Sequence, residues 1–184
     1  MKRTVLFVLG VLAVSTSVFA QAPAPADAIE KALSAAPRQL KEGATVIKWN
    51  ADNTYETLRK GTNRMVCYDR AGDPGAQPFA VQCTSIANLD RVAQNRKFAA
   101  ITDKDARQKA IDEAEAKGTR VKPEFGSVWL TMSGPDKEHA RIHTTIAVPG
   151  ATAQSMGLPD NNKQGGVWIM NAGTTTAHLM TPGS

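Results

Sequence analysis

The chain has 184 residues, a length that fits one domain able to bury roughly two-thirds of the surface its unfolded form exposes. Its formal net charge of +5 falls by two once Lys2 and Arg3 leave with the N-terminal leader, and so mild a basicity gives no reason to expect nucleic acid as a ligand. Beyond the leader no apolar stretch approaches the ~20 residues that a spanning helix requires, which excludes a helical membrane protein.

Residues 1–20, MKRTVLFVLGVLAVSTSVFA, read as a secretory signal peptide: a positive start, an apolar run from Thr4 to Val14 too short to span, and Val18, Phe19 and Ala20 before the cut. No Cys follows that cut to carry a lipid. The expected product is periplasmic or secreted, with no membrane attachment after cleavage; left uncleaved, the same segment would be an N-terminal anchor. Gln21 to Ala26 has the Ala/Pro composition of a linker. Asp27 caps a predicted short helix through Ala36, with Glu30 completing a capping-box pattern and Pro37 stopping it. Ile29 and Leu33, four apart, give it one apolar stripe, which packs on the domain or leaves the helix frayed.

Strand formers begin at Ala44. Thr45, Val46, Ile47 and Trp49, the turn residues Asn50 to Asn53, and Tyr55 to Leu58 predict a hairpin over 44–59. Gly61, Thr62 and Asn63 turn the chain again, Met65 to Tyr68 supplies a third strand, and Phe79 to Cys83 returns to it after the loop Asp69 to Gly75. The two cysteines, Cys67 and Cys83, lie on those two pieces. An even count in an exported chain, with a loop rich in Gly and Pro between, predicts a disulfide worth about 3 kcal/mol in the chain-entropy account. The alternative, a redox-active pair, lacks the C-x-x-C spacing that lowers a thiol pKa.

Ser85 caps a predicted helix from Ile86 to about Phe98, on the helical spacing of Ile86, Leu89, Val92 and Ala93. Thr102, with Asp105 three residues on, opens a second helix through Lys117, stopped by Gly118. The acid-first pairs Asp103 with Arg107, Asp105 with Lys109 and Glu113 with Lys117, beside a thin stripe of Ala106, Ala110, Ile111 and Ala114, make this a solvated surface helix. Strand returns over Phe125 to Met132 and, after the turn Ser133 to Asp136, over Arg141 to Val148, where Ile142, Thr144, Ile146 and Val148 alternate with Arg141, His143, Thr145 and Ala147. A loop with Gly157, Pro159 and Asp160 leads to Gly165-Gly166 and a second hairpin, Val167 to Asn171 and Thr174 to Met180. Neither strand block has enough apolar faces to stand alone. The expected fold is therefore α+β: a single antiparallel sheet from two strand-rich blocks, 44–83 and 125–180, with an inserted pair of helices over 85–117. The domain covers 44–184, with linker and short helix over 21–43 ahead of it.

The set Leu58-Arg59-Lys60-Gly61-Thr62-Asn63 before the first Cys, the second Cys after a Pro-containing loop, Gly157-Leu158-Pro159-Asp160, and the C-terminal GGVWIMNAGT and AHLMTP resembles an uncharacterised family of exported bacterial proteins. The likeness spans about 44–184. This chain has Met65 where relatives often carry Trp, and Thr174 to Thr176 where they carry aromatic residues. The resemblance implies export and no particular activity, cofactor or substrate.

Candidate chemistry is sparse. There is no G-x-S-x-G, H-E-x-x-H, S-x-x-K or Walker-type loop, and adjacent carboxylates such as Asp112 and Glu113 diverge around their helix. His139, His143 and His178 are of a type that holds zinc or copper. Yet positions four apart on a strand, such as His139 and His143, stand about 13 Å from each other, so no metal site and no cofactor are predicted. Met132, Met170 and Met180 carry the thioethers that Cu(I) favours, but each falls in an apolar strand pattern and reads as core. Gly165 to His178 is the candidate binding site: Gly-Gly permits a close backbone approach, Trp168 offers a face, and Asn171 and His178 add polar groups for a small polar ligand. The same residues also read as plain hairpin structure, with the glycines in a turn, Trp168 in the core and Asn171 in the loop. Two functions follow. The first is a non-enzymatic periplasmic protein that binds an unidentified small molecule or protein; the alternative is a hydrolytic or metal-assisted enzyme using His143 or His178. A carboxylate converging with those imidazoles in one pocket is the arrangement the enzyme requires.

Overall fold

The computed structural model describes residues 26–182, so the signal peptide expected over 1–20 and residues 21–25 of the expected linker lie outside the described residues, while Ala26, expected to end that linker, opens the first helix. Strand-forming sequence condenses into β1 (Thr45–Trp49), β2 (Tyr55–Arg59), β3 (Met65–Asp69), β4 (Phe79–Ser85), β5 (Val128–Gly134), β6 (Arg141–Ala147), β7 (Trp168–Met170) and β8 (His178–Met180). These make one sheet in the order β2-β1-β3-β4-β5-β6-β8-β7. Helices α1 (Ala26–Ala32), α2 (Arg38–Lys41), α3 (Leu89–Ala99), α4 (Lys104–Ala116) and α5 (Ala153–Met156) accompany it. The α+β class and both expected hairpins are present. The sheet is mixed, however, and not purely antiparallel: β1 and β3 run parallel, with Thr45 opposite Val66 and Ile47 opposite Tyr68.

That parallel pair has a local cause. After β2 the turn at Gly61 carries the chain across the start of β1 to that strand's other side. At the crossing a Cβ on Gly61 would stand 2.3 Å from the Gly43 carbonyl oxygen and 2.4 Å from the Thr45 nitrogen, so only glycine lets the two backbones meet. Hydrogen bonds then hold the crossing. The Thr62 and Asn63 N–H groups donate to the Gly43 carbonyl at 2.8 and 2.9 Å, Arg59 Nη2 donates to the Lys41 and Ala44 carbonyls at 2.6 and 2.7 Å, and Asn63 Nδ2 donates to the Leu40 carbonyl at 2.9 Å.

Alternation along the strands divides the core between two faces. On one, Val46, Cys67, Val81, Cys83 and Leu130 pack against Ala32, Leu33, Ala35 and Ala36, the end of α1 and the 3-10 turn Leu33–Ala35 that continues it. Asp27 lies inside the first turn of α1 and not at the cap position expected for it. On the other face Ile47, Val66 and Tyr68 pack against Leu89 and Val92 of α3, flanked by Trp49 and Trp129. A third cluster joins Val148, Ile169 and Ala177 to Met156 of α5. Cys67 and Cys83 are directly opposed on β3 and β4 and form the expected disulfide, with Cα atoms 4.1 Å apart. Neither cysteine has exposed surface, which denies a partner thiol the access a redox-active pair needs.

Ser85 caps as expected, accepting from the Ala87 N–H at 3.4 Å ahead of the short 3-10 turn that leads into α3. For α4 the cap is Asp103 and not Thr102: its Oδ1 accepts from the Ala106 N–H at 2.7 Å, and a carboxylate is the better acceptor at the positive end of a helix. Of α4's residues only Ala114 is buried, the solvated helix that its charge pattern predicts. The Glu113 carboxylate meets Lys117 at 3.2 Å.

Candidate functional site

Beside α3, the sheet carries a cleft of about 240 Å³. Its floor is a grid of cross-strand neighbours. Thr131 opposes Gln82 on one side and His143 on the other, Trp129 opposes Thr145, and Ala147 opposes His178. Because alternate residues share a face, His143, Thr145 and Ala147 follow one another along β6. Arg91 and Asn95, four apart on α3, join them, and Pro123, Thr176 and Ala177 complete the lining.

A hydrogen-bonded row crosses this floor from the core outward. The Tyr68 hydroxyl donates to Gln82 Oε1 at 2.6 Å, and Gln82 Nε2 donates to Thr131 Oγ1 at 2.7 Å. Burial pushes the Tyr68 hydroxyl above its ordinary range, so it is a neutral donor. With Gln82 engaged at both ends, the Thr131 hydroxyl keeps its own proton for the cleft. His178 Nδ1 lies 2.7 Å from the Thr176 carbonyl; a carbonyl only accepts, so that nitrogen carries a proton, and Nε2 has no partner among the described residues. The His143 side chain is exposed and makes no hydrogen bond among the described residues.

Two buried guanidinium groups stand behind the cleft. Arg91, 3% exposed, donates to the Val121 carbonyl at 2.6 Å and to the Thr175 and Thr176 hydroxyls at 2.9 and 2.8 Å. Arg120, 7% exposed, donates to Gln94 Oε1 at 2.6 Å and Asn95 Oδ1 at 2.5 Å, and lies over the Phe98 ring at 4.9 Å. Every one of these acceptors is neutral. The nearest carboxylate, Glu115, accepts from the Thr175 hydroxyl and, at 3.2 Å, from its N–H, which places it one hydroxyl away from Arg91. Burial, reinforced by Arg120 and opposed by Glu115, lowers the Arg91 guanidinium to about 10, and burial lowers that of Arg120 as well. Arg91 is thus still a cation at neutral pH, and two cations share one acid.

Other concavities differ in this respect. In the one of about 330 Å³ beside Phe125, Glu124 pairs with Arg64; hydrogen bonds from Ser85 and Arg64 hold its carboxyl below the usual range. In the one of about 500 Å³ beside Trp49, Arg96 pairs with Asp73. In both of these a guanidinium meets a carboxylate directly, whereas Arg91 and Arg120 meet only neutral acceptors.

Of the three expected binding residues, His178 lines the cleft; Trp168 and Asn171 do not. Trp168 is half-buried on β7 opposite Met180. Asn171 is exposed, in the left-handed region at φ 52°, and its carbonyl accepts from the Thr174 N–H and hydroxyl. Gly165 ends a 3-10 turn at φ 72°, and a Cβ on Gly165 or Gly166 would meet nothing within 4 Å; these glycines serve a turn and not a close approach. His143 joins His178 in the cleft, about 13 Å along β6 from the position opposite it, whereas His139 sits apart with Nδ1 2.8 Å from Asp136 Oδ1. Met132 packs against the core and Met180 is buried, but Met170 is 42% exposed, contrary to its reading as core. Among the described residues no three His, Cys, Asp or Glu are placed to hold a metal ion, and no helix is long and apolar enough to cross a membrane. Sequence reasoning missed Gln82, Arg91, Asn95, Trp129, Thr131 and Thr176. The one usable signal was the spacing of Arg91 and Asn95, polar residues four apart on a helix whose buried stripe includes Leu89 and Val92. No family model matches the chain, and no curated protein or solved structure gives a significant match.

Proposed function

We propose that this is an exported binding protein that holds a small polar molecule in the cleft beside α3. The observation that carries the reading is the preorganised lining: Gln82 and His178 are fixed by hydrogen bonds to other residues, Asn95 by Arg120, and all stand on sheet or helix and not on free loops, as a site for one small ligand requires. Export is supported by the leader-like first twenty residues and by the buried Cys67–Cys83 bond. To test the binding reading, the full chain would be titrated with a library of small polar molecules and followed by ¹H–¹⁵N spectra. At least one compound is expected to move the Trp129 indole signal, with the response lost in Thr145→Phe, which fills the cleft. If no compound moves that signal, or the filled variant responds equally, the reading fails.

One observation favours the enzyme instead. His178 presents a free Nε2 in the same cleft as His143, and such a nitrogen is what a general base or a metal ligand needs. Esterase, phosphatase and glycosidase assays on the purified protein, repeated with His143→Ala and His178→Ala, decide between the two. Turnover that disappears in either variant replaces binding by catalysis.

A further inference from the structure

The ligand's charge can be argued further, on the basis of the binding reading above. Asn95 Oδ1 is committed to Arg120, which leaves Nδ2 as the end without a partner among the described residues. Thr131 accepts from Gln82, so its free function toward the cleft is donation. Arg91 uses three of its five N–H groups on neutral oxygens. None of the residues lining the cleft is an Asp or Glu, and Arg91 and Arg120 have only Glu115 near them. Apart from His178 Nε2, a cation entering here would meet donors and like charge; a neutral molecule would leave the excess positive charge uncompensated. Trp129 adds an aromatic face, and Pro123, Ala147 and Ala177 add apolar surface. An engineered cavity of roughly 150 Å³ holds a benzene ring, so about 240 Å³ leaves room for a ring and one substituent.

We propose that the cleft selects a small organic carboxylate, its anionic end toward Arg91, Asn95 and Thr131 and its apolar part on Trp129. Fixed donors backed by a guanidinium form charge-assisted bonds with a carboxylate that an amide of the same shape cannot match.

Calorimetric titration of the full chain with benzoate, benzamide, benzamidinium and inorganic phosphate tests this. Benzoate is expected to bind at least tenfold more tightly than benzamide, with benzamidinium weakest and phosphate weaker than benzoate. Asn95→Asp, near-isosteric and facing Arg120, should lower benzoate affinity at least tenfold and benzamide affinity by a clearly smaller factor, since only the anion is repelled by the new carboxylate. His143→Glu, at an exposed position that cannot threaten the core, should lower it at least threefold. Benzamide binding as tightly as benzoate, or benzoate affinity unchanged in both variants, overturns the carboxylate while leaving a binding cleft in place. Phosphate binding more tightly than benzoate overturns the organic part of the proposal. If none of the four probes binds and no library compound moves the Trp129 signal, the binding reading itself falls and this inference with it.

Discussion

A methyl group at residue 61 would occupy space already held by the Gly43 carbonyl and the Thr45 amide. Both obstacles are backbone, tied down by the bonds of Arg59, Thr62 and Asn63, and neither can rotate aside as a side chain would. Gly61→Ala is therefore expected to lower the free energy of unfolding by about 1–3 kcal/mol through overpacking, seen as a reduced urea midpoint at unchanged slope. A midpoint equal to that of the unsubstituted protein would contradict the crossing. His143 and His178 were recognisable as candidate chemistry because imidazole is rare in this chain and versatile. Nothing local marks Thr131 or Trp129, whose importance arises from what stands opposite them on β4 and β6. Arg91 is a stronger case still. It reads as an ordinary helix cation, yet Val121, Thr175 and Thr176 come from distant sequence to surround it.

At the level of elements, the Cys67–Cys83 bond joins strands that already pair in register. Its contribution is the restriction it places on the unfolded chain, about 3 kcal/mol for a loop of this length. The double variant Cys67→Ala/Cys83→Ala is expected to keep the sheet, by circular dichroism, and to lose about that much stability in a denaturant titration; a loss below about 1 kcal/mol would assign the bond a minor role. Strands and hairpins were legible because alternation and turn residues are local properties. The direction of β3 relative to β1 was not, since a two-residue period is identical in parallel and antiparallel neighbours and only the route of residues 60–64 across β1 distinguishes them. The cap of α4 was ambiguous for a related reason: Thr102 and Asp103 are adjacent residues of suitable type, and the choice rests on which side chain reaches the Ala106 amide.

For the whole molecule, pH acts through acids at or near the surface. Hydrogen bonds from Thr54 lower the Asp52 carboxyl, those from Ser85 and Arg64 lower Glu124, and those from His139 lower Asp136. A carboxyl depressed on folding binds its proton more readily in the unfolded chain, so its stabilisation is complete above the unfolded value and is lost as pH falls through the folded one. The ordinary values are 3.8 for Asp and 4.5 for Glu. The urea midpoint is accordingly expected to hold at neutral pH and to fall as pH drops below about 4.5, less steeply in Ser85→Ala, which removes the first cause of the Glu124 shift. A midpoint independent of pH across that range would refute the coupling. High salt should weaken the Arg64 contribution, because that pair is at the surface.

Both sulfurs lie beneath the segment formed by Ala32, Leu33, Ala35 and Ala36. Once that lid has docked, no oxidant can touch them, so the covalent link must be made while the N-terminal helix is still undocked, or during moments when it lifts away. The timing of oxidation is thereby tied to the docking of that helix and not to the meeting of two strands alone, and a reduced but folded chain should oxidise only as fast as that helix opens.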